Sequence, residues 1–339
     1  MSQQQNQDGR GGWPPGLEPH PRLTSFAAER KLLRHFSNGI CACLVLVFAI
    51  SFAIGSLIRM LLENFSILGV WLMNLYPVGL GLINMSLNTI ALLAPALLAA
   101  NFLQIPTKVA FPIGRPPAGM SLVTTFCTLG MSVIGIYVSA LLAGIMTSVG
   151  AAPSMPDFSP TSTGLASSIM FLIALSVVPA IFEEVLFRGV ILQALRRFGD
   201  TFALVMSSLL FAMLHRNFIQ GPNALIVGMV LGYFTLRAGS IIPAIVAHFF
   251  NNFLTGLMVV LMPRLSEEGI NFVGLIVFPL YIAFGVAGII ITISKYGGFI
   301  PLHPTPSPLK VGEKWFIFFT APLGIVFVVA TIIETLPFI

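Results

Sequence analysis

The sequence predicts an all-α fold, a polytopic transmembrane helix bundle of about eight spans. Three observations predict it. Of 339 residues, 56% are hydrophobic and only 9% are charged, whereas a soluble domain carries about 25% charged residues. The mean hydropathy is +0.95. Apolar runs of about 20 residues, the length that crosses a bilayer as a helix, recur along the chain. The formal charge of +5 therefore reads as a topology signal and not as affinity for nucleic acid.

Residues 1–25 are polar, rich in Gln, Gly and Pro, and predict a disordered tail. Candidate spans follow at 40–62, 66–104, 119–149, 165–182, 202–215, 222–237, 240–262, 271–293 and 315–337. The run 66–104 holds one or two helices, and the basic loop that follows favours one crossing with an interfacial first part. Spans 202–215 and 222–237 are short for a full crossing and predict tilted or shielded helices. Arg30, Lys31 and Arg34 precede the first span and place the N-terminus in the cytoplasm, and Lys108 and Arg115 place the next basic loop there too. Residues 147–163 hold no Lys or Arg and read as external, so Arg196 and Arg197 return inside and Glu183 falls near the cytoplasmic end of its helix. The expectation is a multi-pass protein of the plasma (inner) membrane, with the lipid bilayer as its environment. The chain divides into the tail 1–25, N-terminal spans 26–164, a core 165–262 that holds the chemistry, and C-terminal spans 263–339. Cys41, Cys43 and Cys127 lie in or beside apolar runs without a metal or disulfide pattern, and read as small buried hydrophobes.

Between residues 183 and 252 the chain carries polar groups that membrane helices seldom tolerate. Glu184 and Arg188 are four apart and share a helix face, so they can pair; Glu183 projects about 100° away and is free to point elsewhere. Taken alone, this motif reads equally as a helix end meeting water. Phe211-x-x-x-His215 follows, and Arg216 beside it suits an interfacial histidine. His248 and Asn252, at i and i+4, share one face inside the apolar run 241–261, where two polar side chains need partners from another helix or a wet cavity. Asn251 points elsewhere and can serve a different helix. The gaps of 32 and 33 residues between Glu183, His215 and His248 let three helices bring these groups together. A carboxylate beside an imidazole can take a proton from water, and His and Asn donors can hold a developing oxyanion. No serine or cysteine stands at a nucleophile spacing.

In this order, Glu-Glu-x-x-x-Arg, Phe-x-x-x-His and His-x-x-x-Asn resemble the motif series of the CAAX protease and bacteriocin-processing family. Its members include type II CAAX prenyl endopeptidases, which are intramembrane glutamic proteases. The resemblance covers roughly residues 165–260, with Phe187 and Gly189 in the usual surroundings of the first motif. It implies a bundle of about eight helices with a catalytic cavity open towards the cytosolic side. It implies Glu183 as the water-activating base, His215 as its partner on that water, and His248 with Asn252 as the oxyanion hole. Arg188 would balance the glutamates, with Glu184 as its ion-pair partner. The implied reaction is hydrolysis of a peptide bond in a membrane-associated or prenylated-type protein or peptide, without a cofactor. A zinc metalloendopeptidase using Glu183, His215 and His248 as ligands is the alternative with a metal, although no His-Glu-x-x-His signature is present. A non-proteolytic immunity or scaffolding protein of the same fold is a second alternative. A proton-coupled transporter is a third, without the two related halves that such folds often show.

Overall fold

Every regular element among the described residues is helical in the computed structural model, which describes residues 25–64, 78–155, 164–300, 302 and 307–339. The expected tail lies outside the described residues apart from Ser25, as does 66–77 of the long second run. The principal helices are α1 (Phe26–Asn64), α2 (Val78–Phe102), the single turn α3 (Thr107–Ala110), α4 (Met120–Ser148) and α5 (Leu165–Glu184). The chain continues through the short α6 (Leu192–Leu195) into α7 (Asp200–Leu214), α8 (Gln220–Ala238), α9 (Ile242–Leu261), α10 (Glu267–Tyr296), α11 (Val311–Phe319) and α12 (Pro322–Thr335).

Among the described residues, six helices are long and apolar enough to cross a membrane, or seven if the bent pair α11–α12 is one span. This is an integral membrane protein, and the expected count of about eight stands close to it. The differences have physical reasons. The helix of the short run 202–215 has only 15 residues, about 22 Å at 1.5 Å per residue, too little for a hydrocarbon core of about 30 Å. The run 315–337 breaks at Pro322, and its two halves meet at 74°. The span expected at 165–182 instead runs from Leu165 to Phe198. An apolar count stops at the charges of Glu183, Glu184 and Arg188, but Glu184 and Arg188 pair within the bundle and the helix continues. Glu183 therefore stands at the last turn of α5, within a helical run that continues to Phe198. The first helix begins at Phe26 rather than near Ile40, because Leu33 and Phe36 turn inward at helical spacing while Arg30, Lys31 and Arg34 stay exposed.

Packing centres on α4, α5, α8 and α9. α5 lies against α9, α4 against α8, α9 and α10, and α7 against α8, while α2 packs on α5 and α1 packs on α2. Fully buried Phe36, Phe187, Phe198, Phe318 and Phe327 fill the core. Large apolar side chains such as Leu141, Phe272, Ile290 and Phe316 are exposed on the outer helices, as a lipid-facing surface requires. Small residues let helices approach closely where apolar surface gives no drive to associate. At the α4–α10 crossing a methyl on Gly285 would stand 2.8 Å from Gly130 Cα, so both positions need glycine.

Candidate active site

The polar cluster starts on α5 and its continuation. After Glu184 the backbone widens into π-helical turns over Val185–Ile191, a geometry found often at functional sites. Displaced carbonyls there find side-chain donors: Ser207 Oγ donates to Phe187 O at 3.0 Å and Gln193 Nε2 to Arg188 O at 3.2 Å. Neither Ser207 nor Gln193 carried a signal in the sequence, because each supports backbone that a pattern of side chains does not reveal.

Arg188 and Glu184 make the central ion pair. Arg188 Nη1 donates to Glu184 Oε1 at 2.7 Å, and the two side chains are 1% and 0% exposed. Arg188 Nη2 donates to Gly228 O at 3.2 Å, which ties the cluster to α8. The guanidinium also lies 4.5 Å from the centre of the Phe211 ring, within cation–π range. Position 228 must stay small: a methyl there would meet Arg188 Nη2 at 3.3 Å and Ser208 Cβ at 3.2 Å.

His248 joins from α9. Its Nδ1 is 2.8 Å from the same Glu184 oxygen, Oε1. An ionised carboxylate only accepts, so Nδ1 carries the hydrogen and Nε2 faces away from Glu184. Glu183 Oε2 stands 3.9 Å from that Nε2. The two neighbouring carboxylates therefore differ. Glu184 is fully buried and bonded to Arg188 and His248, whereas Glu183 is 18% exposed and makes no hydrogen bond to the imidazole.

His215 follows the last turn of α7. Its Nδ1 lies 2.9 Å from Phe211 O, so Nδ1 donates and Nε2 holds the lone pair. The Phe211 ring is edge-on to His215 at 4.9 Å and to His248 at 5.9 Å, and it packs on Phe187. Phe211 thus sets the spacing of both histidines and of Arg188. In the sequence it served only as a motif marker, since an apolar residue in an apolar helix has no signal of its own. Arg216, next to His215, adopts a left-handed backbone and pairs with Glu334 at 3.2 Å on the half-exposed rim.

Asn252 lies one turn beyond His248. Its Nδ2 donates to Leu175 O of α5 at 3.2 Å, and its Oδ1 accepts from Asn251 Nδ2 at 3.4 Å. Asn251 Oδ1 in turn accepts from Ser132 Oγ of α4 at 2.6 Å, so Asn251 serves a different helix as expected. The fold thus assembles Glu183, Glu184, Arg188 and His248 directly, attaches His215 through Phe211, and holds Asn252 one turn away along the α5–α9 seam.

The zinc alternative requires three ligand atoms about 2.0–2.2 Å from one point. Among the described residues, no group of three or more His, Cys, Asp or Glu side chains is placed to hold a metal ion. Glu183, His215 and His248 as arranged do not fit that site.

Residues 165–254 match the family model described as type II CAAX prenyl endopeptidase Rce1-like. The match opens at the first residue of α5 and closes within α9, and it encloses Glu183 through Asn252. No curated protein and no solved structure matched the chain.

Proposed function

We propose, from the premise that residues 165–254 form a type II CAAX prenyl endopeptidase-like domain, that this integral membrane protein is a metal-independent intramembrane glutamic endopeptidase. Its substrate is a membrane-associated or prenylated-type protein or peptide. The observation that carries the reading is the unequal pair of carboxylates around one imidazole, with Glu184 2.8 Å from His248 Nδ1 and Glu183 3.9 Å from the ring's other nitrogen.

In this mechanism a water held between Glu183 and His215 Nε2 gives its proton to the Glu183 carboxylate as its oxygen bonds to the scissile carbonyl carbon. The carbonyl becomes an oxyanion, which accepts from His248 Nε2 and Asn252 Nδ2. Donation from Nε2 requires both ring nitrogens to carry hydrogen, with Nδ1–H held on Glu184. Glu183 then passes the proton to the leaving amine as the C–N bond breaks, giving a carboxylic acid and an amine, and the acid's proton passes on to leave a carboxylate and an ammonium. Arg188 balances the charge of Glu184 and keeps that carboxylate fixed. The Lys/Arg pattern supports a cytoplasmic N-terminus and a cavity reached from the cytosolic side, and the proposed location is the plasma (inner) membrane.

The test uses purified protein in lipid nanodiscs with a farnesylated peptide ending in a CAAX box, and products are read by mass spectrometry. Wild type should release a C-terminal fragment, and Glu183→Ala and Glu183→Gln should release none. Cleavage by Glu183→Ala at the wild-type rate would overturn the assignment.

A further inference from the structure

Pro179 lies inside α5, one turn before Glu183. In an α-helix the N–H of residue i donates to the carbonyl of residue i−4. Proline has no N–H, so position 179 withholds the donor that Leu175 O would otherwise receive. In an apolar span such a freed acceptor has to be satisfied by a neighbouring group. The donor that reaches it is Asn252 Nδ2, 3.2 Å away on α9. His248, one turn before Asn252, bonds Glu184 of the same α5 continuation, so both contacts lie along one interhelical seam. An asparagine amide has two N–H groups and one carbonyl oxygen. Leu175 O takes one N–H, Asn251 Nδ2 donates to the oxygen, and Asn251 is anchored by Ser132 of α4. The amide plane is thus fixed from α5, α9 and α4, and one N–H remains for another acceptor.

We infer that Pro179 is a positioning residue for Asn252: its missing N–H turns Leu175 O into the acceptor that orients the Asn252 amide towards the reacting carbonyl. Pro179 acts only through Asn252. The kinetic consequence rests on the oxyanion role proposed above, whereas the structural coupling does not. A proline present merely to bend the helix would show no coupling to Asn252.

Two measurements on one set of variants test this: wild type, Pro179→Ala, Asn252→Ala and the double variant. Thermal unfolding in detergent needs no activity. Asn252→Ala should lower the midpoint when Pro179 is present, because Leu175 O is left unpaired. It should lower the midpoint clearly less in the Pro179→Ala background, where the backbone N–H regained at position 179 serves that carbonyl. Pro179→Ser restores the same N–H and must reproduce the result. Equal loss in both backgrounds overturns the inference. On the farnesylated CAAX-box peptide, Pro179→Ala should lower kcat by about 10- to 100-fold, as a misplaced catalytic group does, with KM little changed. The double variant should be no slower than Asn252→Ala alone. An unchanged kcat, or effects that multiply, overturns the positioning role. If the wild type leaves the peptide intact, the proposed reaction fails while the unfolding cycle still decides the coupling.

Discussion

Glu184→Ala removes a carboxylate oxygen that Arg188 Nη1 contacts at 2.7 Å and His248 Nδ1 at 2.8 Å. Arg188 is 1% exposed and cannot reach water without opening the bundle. What remains in direct contact with it is Gly228 O and the face of Phe211, with the Glu183 charge nearby. A cation–π contact contributes about 2 kcal/mol at best when desolvated, and removing one partner of a buried ion pair costs about 3–5 kcal/mol. Glu183→Ala removes a side chain that is 18% exposed and stands 3.9 Å from His248 Nε2, beyond hydrogen-bond range. An interaction of that kind contributes about 0.2–1 kcal/mol. The two alanine variants should therefore differ in stability by about 2–5 kcal/mol, or about one and a half to three and a half decades in the folded-to-unfolded ratio at about 1.4 kcal/mol per decade. Glu184→Gln, which keeps an acceptor but not the charge, should fall between them. Denaturant unfolding in mixed micelles, followed by size-exclusion of the surviving folded fraction, measures the order. Equal losses for Glu183→Ala and Glu184→Ala, or a larger loss for Glu183→Ala, would refute the division of labour between the two carboxylates.

Asn252→Ala should lower kcat by about 10²–10³ with substrate affinity largely kept, as loss of one oxyanion donor does; steady-state kinetics that show only a raised KM contradict that role. Gly228→Ala places a methyl 3.3 Å from Arg188 Nη2 and 3.3 Å from Phe211 Cδ1, and overpacking of this kind costs about 1–3 kcal/mol. A thermal midpoint at or above wild type would show that Arg188 yields without loss. Exhaustive chelation followed by a peptide-cleavage assay should leave activity intact, and loss that added zinc restores would favour the metal mechanism.

Composition made the membrane bundle legible, because hydrocarbon admits few ways to satisfy backbone hydrogen bonds and a long apolar run is a direct record of helical crossing. Span ends were harder to read. Hydropathy treats every charge as an exit from the membrane, so Glu183, Glu184 and Arg188 read as the close of a helix that in fact continues to Phe198. A sequence window cannot see that Arg188 and Glu184 neutralise one another inside the bundle. Their pairing was itself legible, since a spacing of four is local to one helix turn. The attachment of His248 to Glu184 was not, because a residue 64 positions away reaches one carboxylate or its neighbour according to how α9 packs on α5. The roles of Phe211, named only as a motif marker, and of Leu175 were hidden for another reason. One acts through an apolar ring and the other through a backbone carbonyl, and neither differs in sequence from ordinary membrane filler.

Catalysis by Glu183 is the central claim, and its most direct measurement is quantitative mass spectrometry of membrane peptides from cells that express wild type or Glu183→Ala at equal level. The account predicts new C-terminal or intramembrane cleavage ends in wild-type membranes that vanish in the variant while the protein remains folded and inserted. Identical peptide profiles, with every cellular effect of the wild type retained by Glu183→Ala, would contradict it.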